Sequence, residues 1–439
     1  MEINPSDIRI PDAHKNTTDF TTTFLDLPEA IQQIYLAAIR VPKDFPGPEP
    51  PRDLPVRSFQ TLPKATTTDS SIDYAFTDDV PDSLPPTLSL PPSEVLWRLT
   101  AGRAEAWTEG MICVWVYDNK GKTVSHYPLW ALEVWTEGME MEASRQAWEE
   151  GIAFISKIDA AHEGVAQPTC IAELRDRLPK CGWNASLFRK KINFDYETLS
   201  IVPLLHETRW ASKTAIDCGL ISLRARYHSM QDRTVILSSE FSGRLRLGNP
   251  SVNTTQNRTY HDSVYNTAAW LSEDFNRSII SIVFVDEGHW AAVRLDGRGT
   301  ATVVDSLHEV PDSFPRWWSR KGRLSEDWGA FARLIRSKIT FNQKFVSRGY
   351  QDDGSSCGSA ALNAMRWFLD NTTPQWDSKN RSVARVELVL EIMKAREVCA
   401  EQKAAMSRGQ VVSLAKPDST AVVKGTSTSD VLLLLKTGL

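Results

Sequence analysis

Residue types that acyl-transfer chemistry needs stand close together and in a set order: His289-Trp290, then Asp305-Ser306-Leu307, then Gln351-Asp352-Asp353-Gly354-Ser355-Ser356-Cys357-Gly358. Together they could supply a base, a group to orient it, a donor for a developing oxyanion and a nucleophile. The residues after Cys357 say where the thiol must sit. Ala361, Leu362, Met365, Phe368 and Leu369 recur at helical spacing, which predicts a buried amphipathic helix with Cys357 at or just before its start. At that end unpaired N–H groups and the helix dipole favour a thiolate, and thiol pKa values there fall to roughly 3.5 to 7.5. The alternative is a buried cysteine that merely packs.

A hairpin would bring the base to its orienting acid. Ser281 to Asp286, His289 to Leu295 and Ala301 to Val304 are strand-like runs, and Asp296-Gly297-Arg298-Gly299 is a turn signal between the last two. Position 297 lies midway between 289 and 305. A simple hairpin therefore places His289 and Asp305 directly opposite on one sheet face, with Cβ atoms roughly 4.5 to 5.5 Å apart. There a carboxylate would hold one ring N–H and leave the other nitrogen for the thiol. A single bulge would change that register.

Two competing patterns fail on order. Gly354-Ser355-Ser356-Cys357-Gly358 also matches the G-x-S-x-G serine elbow, whose histidine follows the serine, and papain-type proteases likewise place histidine after cysteine. None of the eight histidines lies beyond His308. The base must therefore precede the nucleophile; His308 is the reserve candidate.

The pattern His-Trp, Asp-Ser-Leu and Gln-x5-Cys-Gly resembles the Ulp/SENP family of cysteine proteases, which remove SUMO and related ubiquitin-like modifiers. The resemblance implies Cys357 as nucleophile, His289 as base, Asp305 as its orienter and Gln351 as oxyanion donor. The family's last block usually reads Gln-x-Asn-Gly-x-Asp-Cys-Gly, so Asp353 replaces Asn and Ser356 replaces Asp. Upstream, Trp210-Ala211-Ser212-Lys213-Thr214-Ala215-Ile216-Asp217 resembles the family's Trp-Leu-x-Asp-x-x-Ile-x segment, with Ala211 and Lys213 as departures. In that family the corresponding Trp and the one after the histidine flank the slot for a Gly-Gly tail, a role that falls here to Trp210 and Trp290. Trp210 could instead cap a helix against the core. The implied architecture is α+β, a papain-like cysteine protease fold of the Ulp type with a central sheet flanked by helices. Its implied partner is a SUMO-like modifier and its conjugates. Two alternatives stay open: an acetyltransferase of the related Cys-His-acid type, and an inactive modifier-binding module.

The rest of the chain frames this domain. Of 439 residues 41% are hydrophobic and 24% charged, enough for two or three compact units, and the net charge of -5 gives no general attraction to nucleic acid. Six cysteines at 113, 170, 181, 218, 357 and 399 form no CxxC pair or metal spacing, so neither metal nor cofactor is expected. With no signal peptide and no apolar run long enough for a membrane, the expectation is an intracellular monomer in nucleus or cytoplasm, where thiols stay reduced. Fifteen of the 24 prolines fall in residues 1–92, which reads as disordered apart from a short helix at 28–40.

Residues 93–190 read as a small, mainly helical unit. Six of the 15 tryptophans lie between Trp97 and Trp148, expected mostly in its core, with a Trp-Thr-Glu-Gly-Met repeat at 107 and 135 and a hairpin near 112–122. The protease-like domain is expected over 195–398, closed by a helix through Val383, Val386, Leu390 and Met393, with a polar tail over 399–439. Within that tail Asp430-Val431-Leu432-Leu433-Leu434-Leu435 could add a strand to a modifier's sheet, pack on the body or fray.

Overall fold

The computed structural model describes residues 50–62, 68, 72–79, 89–109, 111, 113–117, 123–129, 131–161, 168–189, 195–247, 258–285, 288–307, 318, 323–335 and 340–407. The helix expected at 28–40, His308 and the hydrophobic run at 430–435 lie outside them. The chain divides into two units, 1–146 and 147–439.

In the first unit, α1 (Val56–Gln60) precedes β1 (Asp73–Thr77), α2 (Ser93–Thr108), β2 (Cys113–Tyr117) and β3 (Thr123–Pro128). Helix α3 (Ala131–Ala161) comes next and contains the division. The strands make an antiparallel sheet in chain order, so the hairpin expected near 112–122 is present as β2 and β3. Leu96, Leu99, Val114, Val116, Leu132 and Trp135 fill its core, with the Trp135 ring edge-on to Tyr74 and Tyr127 at 6.0 and 5.1 Å. Not every tryptophan is core, for Trp97 is 76% exposed. In the second copy of the repeat, Gly138 lies so close to Leu90 that a Cβ would come within 2.9 Å of its side chain.

The second unit is built on a five-stranded sheet. Helix α4 (Thr169–Arg177) and the short pair β4 (Ser186–Arg189) and β5 (Asp195–Glu197) lead to α5 (Lys213–Arg226). Then come β6 (Thr234–Ile236), α6 (Phe241–Leu247), α7 (Arg258–Ser272), β7 (Ser278–Val285), β8 (His289–Asp296) and β9 (Thr300–Val304). Helix α8 (Arg323–Ile335), β10 (Asn342–Phe345), α9 (Cys357–Leu369) and α10 (Arg381–Ser407) complete it. The inner strands β7, β8 and β9 run antiparallel, while β6 and β10 join the edges in parallel.

Strand β7 is a nearly unbroken apolar run because both faces of the sheet are covered. Phe241, Val264, Trp328 and Phe331 from α6, α7 and α8 pack with Val283, Val293 and Val303 in one core cluster. Helix α9 packs on β8 and β7 and is itself held by α5 and α10. Mixed helix and sheet, with a central sheet between helical layers, is the α+β class expected. Helix α10 runs on to Ser407, into the stretch read as tail.

Candidate active site

The turn after β8 decides where the base meets its acid. Asp296 accepts backbone N–H groups from Arg298 and Thr300 on Oδ1, at 3.0 and 2.9 Å, and from Gly299 on its carbonyl, at 3.0 Å. Gly299 sits at φ +81, the left-handed residue that closes a bulged loop of this kind. The turn is centred on Arg298 rather than Gly297, so that Ala292 faces Val304 and Leu295 faces Ala301. Extended to the strand start, this register sets His289 against 307 rather than 305.

Direct opposition of His289 and Asp305 is therefore corrected to a diagonal relation. A shift of two positions preserves the face, and a diagonal pair is about 7 to 8 Å apart at the backbone, within reach of an imidazole and a carboxylate. Across that diagonal His289 Nε2 meets Asp305 Oδ1 at 2.7 Å. The same oxygen accepts the Leu307 backbone N–H at 2.8 Å, which fixes the carboxylate.

Cys357 opens α9, whose Ala361, Leu362, Met365, Phe368 and Leu369 are buried as their spacing predicts. Its thiol lies close enough to the His289 ring to help raise the ring's pKa. With Nε2 engaged by Asp305, Nδ1 is the nitrogen left for the thiol. Burial works against a charged ring, but the hydrogen bonds and charges of Asp305 and Cys357 outweigh it and raise the His289 pKa to about 9. The other cysteines lack this chemistry. Burial pushes Cys113 up to about 11 and Cys181 up to about 12, and raises Cys170, Cys218 and Cys399 as well.

Gln351 is buried and held at three points. Its backbone N–H donates to the Ser306 carbonyl at 2.8 Å, its Oε1 accepts the Ser306 hydroxyl at 2.7 Å, and its Nε2 donates to the Asp353 carbonyl at 2.7 Å. One amide hydrogen is thereby left over, on a group whose orientation Ser306 sets. Asp305 and Ser306 thus serve two parts of the site from adjacent positions.

The loop before Cys357 is organised by Asp353. Its Oδ1 accepts the backbone N–H groups of Ser355 and Ser356, both at 2.7 Å, and its Oδ2 accepts the Ser356 hydroxyl at 2.7 Å. Burial works to raise this carboxyl, and those hydrogen bonds, helped by Arg381, prevail and hold it below its usual range. Sequence reasoning treated Asp353 and Ser356 only as departures from a family pattern. The signal was an aspartate two and three residues ahead of serines at a helix start, where side-chain caps concentrate.

Of the two tryptophans expected to flank a slot, one is open and one is not. Trp210 is 45% exposed and lies across Gly288, at φ +79 just before His289, where a Cβ would come within 2.7 Å of the ring. Trp290 is 4% exposed, donates its indole N–H to the Ala211 carbonyl at 3.1 Å and packs beside Gly358. Trp290 therefore supports the site from beneath. The helix-capping alternative for Trp210 goes instead to Ser212, whose hydroxyl accepts the Ala215 N–H at 3.1 Å at the start of α5.

No protein-family model matches the chain, and no curated protein does. Solved structures do match. SUMO protease Ulp1 with its catalytic cysteine oxidised to a sulfinic acid is 16% identical over 48% of this chain and 89% of that one, with a TM-score of 0.36. The C-terminal Ulp1 protease domain in complex with Smt3, the yeast ortholog of SUMO, is 16% identical over 48% of this chain and 88% of that one, at TM-score 0.36. ChlaDub1 from Chlamydia trachomatis is 14% identical over 43% of this chain and 93% of that one, at TM-score 0.28. The chain is thus similar to Ulp1-type protease structures over part of its length, while the site's own geometry carries the functional reading.

Proposed function

We propose that the chain is a cysteine peptidase that cuts after the C-terminal Gly-Gly of a ubiquitin-like modifier, SUMO-like before others, by peptide or isopeptide hydrolysis. One observation carries this: the His289 ring is hydrogen-bonded to Asp305 and feels the thiol of Cys357, which opens a helix, closely enough for its pKa to rise. The four reacting groups, Cys357, His289, Asp305 and Gln351, are all buried, while Trp210 lies exposed beside them. An approach so confined favours a chain without side chains over a bulky peptide.

In this mechanism His289 Nδ1 takes the Cys357 proton and the sulfur attacks the glycine carbonyl. The oxyanion is met by the free N–H of Gln351 and by backbone N–H groups at the start of α9. His289 then protonates the departing amine, and water activated by the same ring clears the thioester. Asp305 keeps the ring in the needed tautomer and stabilises its charge.

SUMO and ubiquitin carrying a C-terminal electrophile test the proposal. A covalent adduct mapped to Cys357 by mass spectrometry, with one modifier preferred, is the expected result. No adduct with either, or acetyl transfer from acetyl-CoA in its place, would reject it.

A further inference from the structure

Arg385 is a buried arginine on α10, beneath the loop that carries Cys357, and the proposed mechanism makes no use of it. Its Nη2 donates to the Ser355 carbonyl at 2.9 Å and reaches the Ser355 hydroxyl at 3.3 Å. Its Nη1 donates to the carbonyls of His206 and Arg209 at 2.7 and 3.1 Å. One guanidinium thus touches the segment that ends at Trp210 and the segment that ends at Cys357.

The Ser355–Ser356 peptide unit is held at both ends. Its carbonyl accepts from Arg385, and its N–H donates to Asp353 Oδ1 at 2.7 Å. Opposite charges grip opposite poles of one amide dipole, so the plane one peptide ahead of the Ser356–Cys357 bond cannot turn without breaking a charge-assisted bond. That plane sets where the first N–H groups of α9 point. The Ser355 hydroxyl adds a second tie to the Trp210 segment, donating to the Glu207 carbonyl at 3.0 Å. Holding a charge here is costly, since burial pulls the guanidinium below its usual range against the attraction of Asp353 and Cys357. A lysine has no planar fork to serve three carbonyls.

We propose that Arg385 is a positioning residue that fixes the oxyanion donors of α9 and the Trp210 wall relative to each other. This rests on the peptidase reading and adds to it a residue outside the reacting set. The test compares two reactions of the same thiol. Alkylation of Cys357 by iodoacetamide forms no oxyanion and needs no slot, whereas hydrolysis of a Gly-Gly amide needs both. In Arg385→Gln, kcat/KM for a Gly-Gly amide substrate should fall about 100-fold, the scale of misplaced catalytic groups, while alkylation at Cys357 stays within about threefold.

Arg385→Lys should recover part of the loss. Should the Gln variant fail to fold, Asp353→Asn loosens the same peptide from its N–H side and should show the same split more weakly. Parallel loss of both reactions would mean a general structural role and overturn the proposal, as would unchanged hydrolysis. A wild-type protein that is alkylated at Cys357 but cleaves no Gly-Gly amide would reject the peptidase reading itself, and the positioning role with it.

Discussion

At the scale of single residues, the site depends on how Asp305 and Ser306 divide the work. Asp305 holds the ring through Nε2, and Ser306 turns the Gln351 amide. Cys357→Ala should abolish hydrolysis with the fold intact, and His289→Ala nearly so; turnover retained by purified Cys357→Ala protein would reject the nucleophile. Asp305→Asn removes one of the two partners that raise His289 to about 9, so the alkaline limb of the kcat/KM profile should move to lower pH. The rate should drop by up to about 10⁴-fold, by analogy with triads in general. A limb that stays in place would separate Asp305 from the titrating ring. Ser306→Ala frees the amide without removing it, so kcat should fall about 10-fold, less than for loss of an oxyanion donor outright, with KM unchanged. A change in KM alone would instead place Ser306 in substrate binding.

At the scale of elements, the bulged loop between β8 and β9 sets the diagonal register. Gly299 at φ +81 is the position where a side chain is strained, and a β-branched residue there should cost about 1 to 2 kcal/mol. Gly299→Val should lower the urea midpoint and reduce turnover together, because His289 and Asp305 are placed by the same turn. Full stability and turnover in that variant would show that the register is set elsewhere. Gly349, at φ +97, makes a tighter approach: a Cβ would lie 2.0 Å from the Trp376 carbonyl oxygen. It lies just ahead of Gln351, so its conformation bears on the proposed oxyanion donor as well as on stability.

At the scale of the whole molecule, the site feeds back on folding through the His289 ring. Its pKa is about 9 in the folded chain against 6.5 ordinarily. A raised pKa contributes stability that is complete below pH 6.5 and is lost as the pH rises through 9, amounting to no more than about 3 kcal/mol. The melting temperature should therefore decline between pH 7 and 10, and decline less steeply in His289→Gln. Identical slopes would show that the ring's charge is not coupled to folding. No helix among the described residues is long and apolar enough to cross a membrane, and none of their His, Cys, Asp and Glu side chains cluster as a metal site would.

Much of this was readable from residue order alone. Helical spacing after Cys357 and the Val- and Ile-rich runs through 281–304 are local signals, because side-chain period and shape act along the backbone itself. The order His, Asp, Gln, Cys likewise needed no coordinates. The true register was not readable, since a left-handed Gly299 and an ordinary turn glycine look the same as letters. Nor was the burial of Trp290, which depends on Ala211 and Gly358 arriving from elsewhere in the chain. Arg385 left a trace, standing three, four and seven residues before Leu388, Val389 and Ile392 on the buried face of α10. What the sequence by itself determined were the proposed reacting groups and the elements that carry them. Only the tertiary structure decided which of their neighbours touch, because segments far apart in the chain meet through packing rather than through any local period.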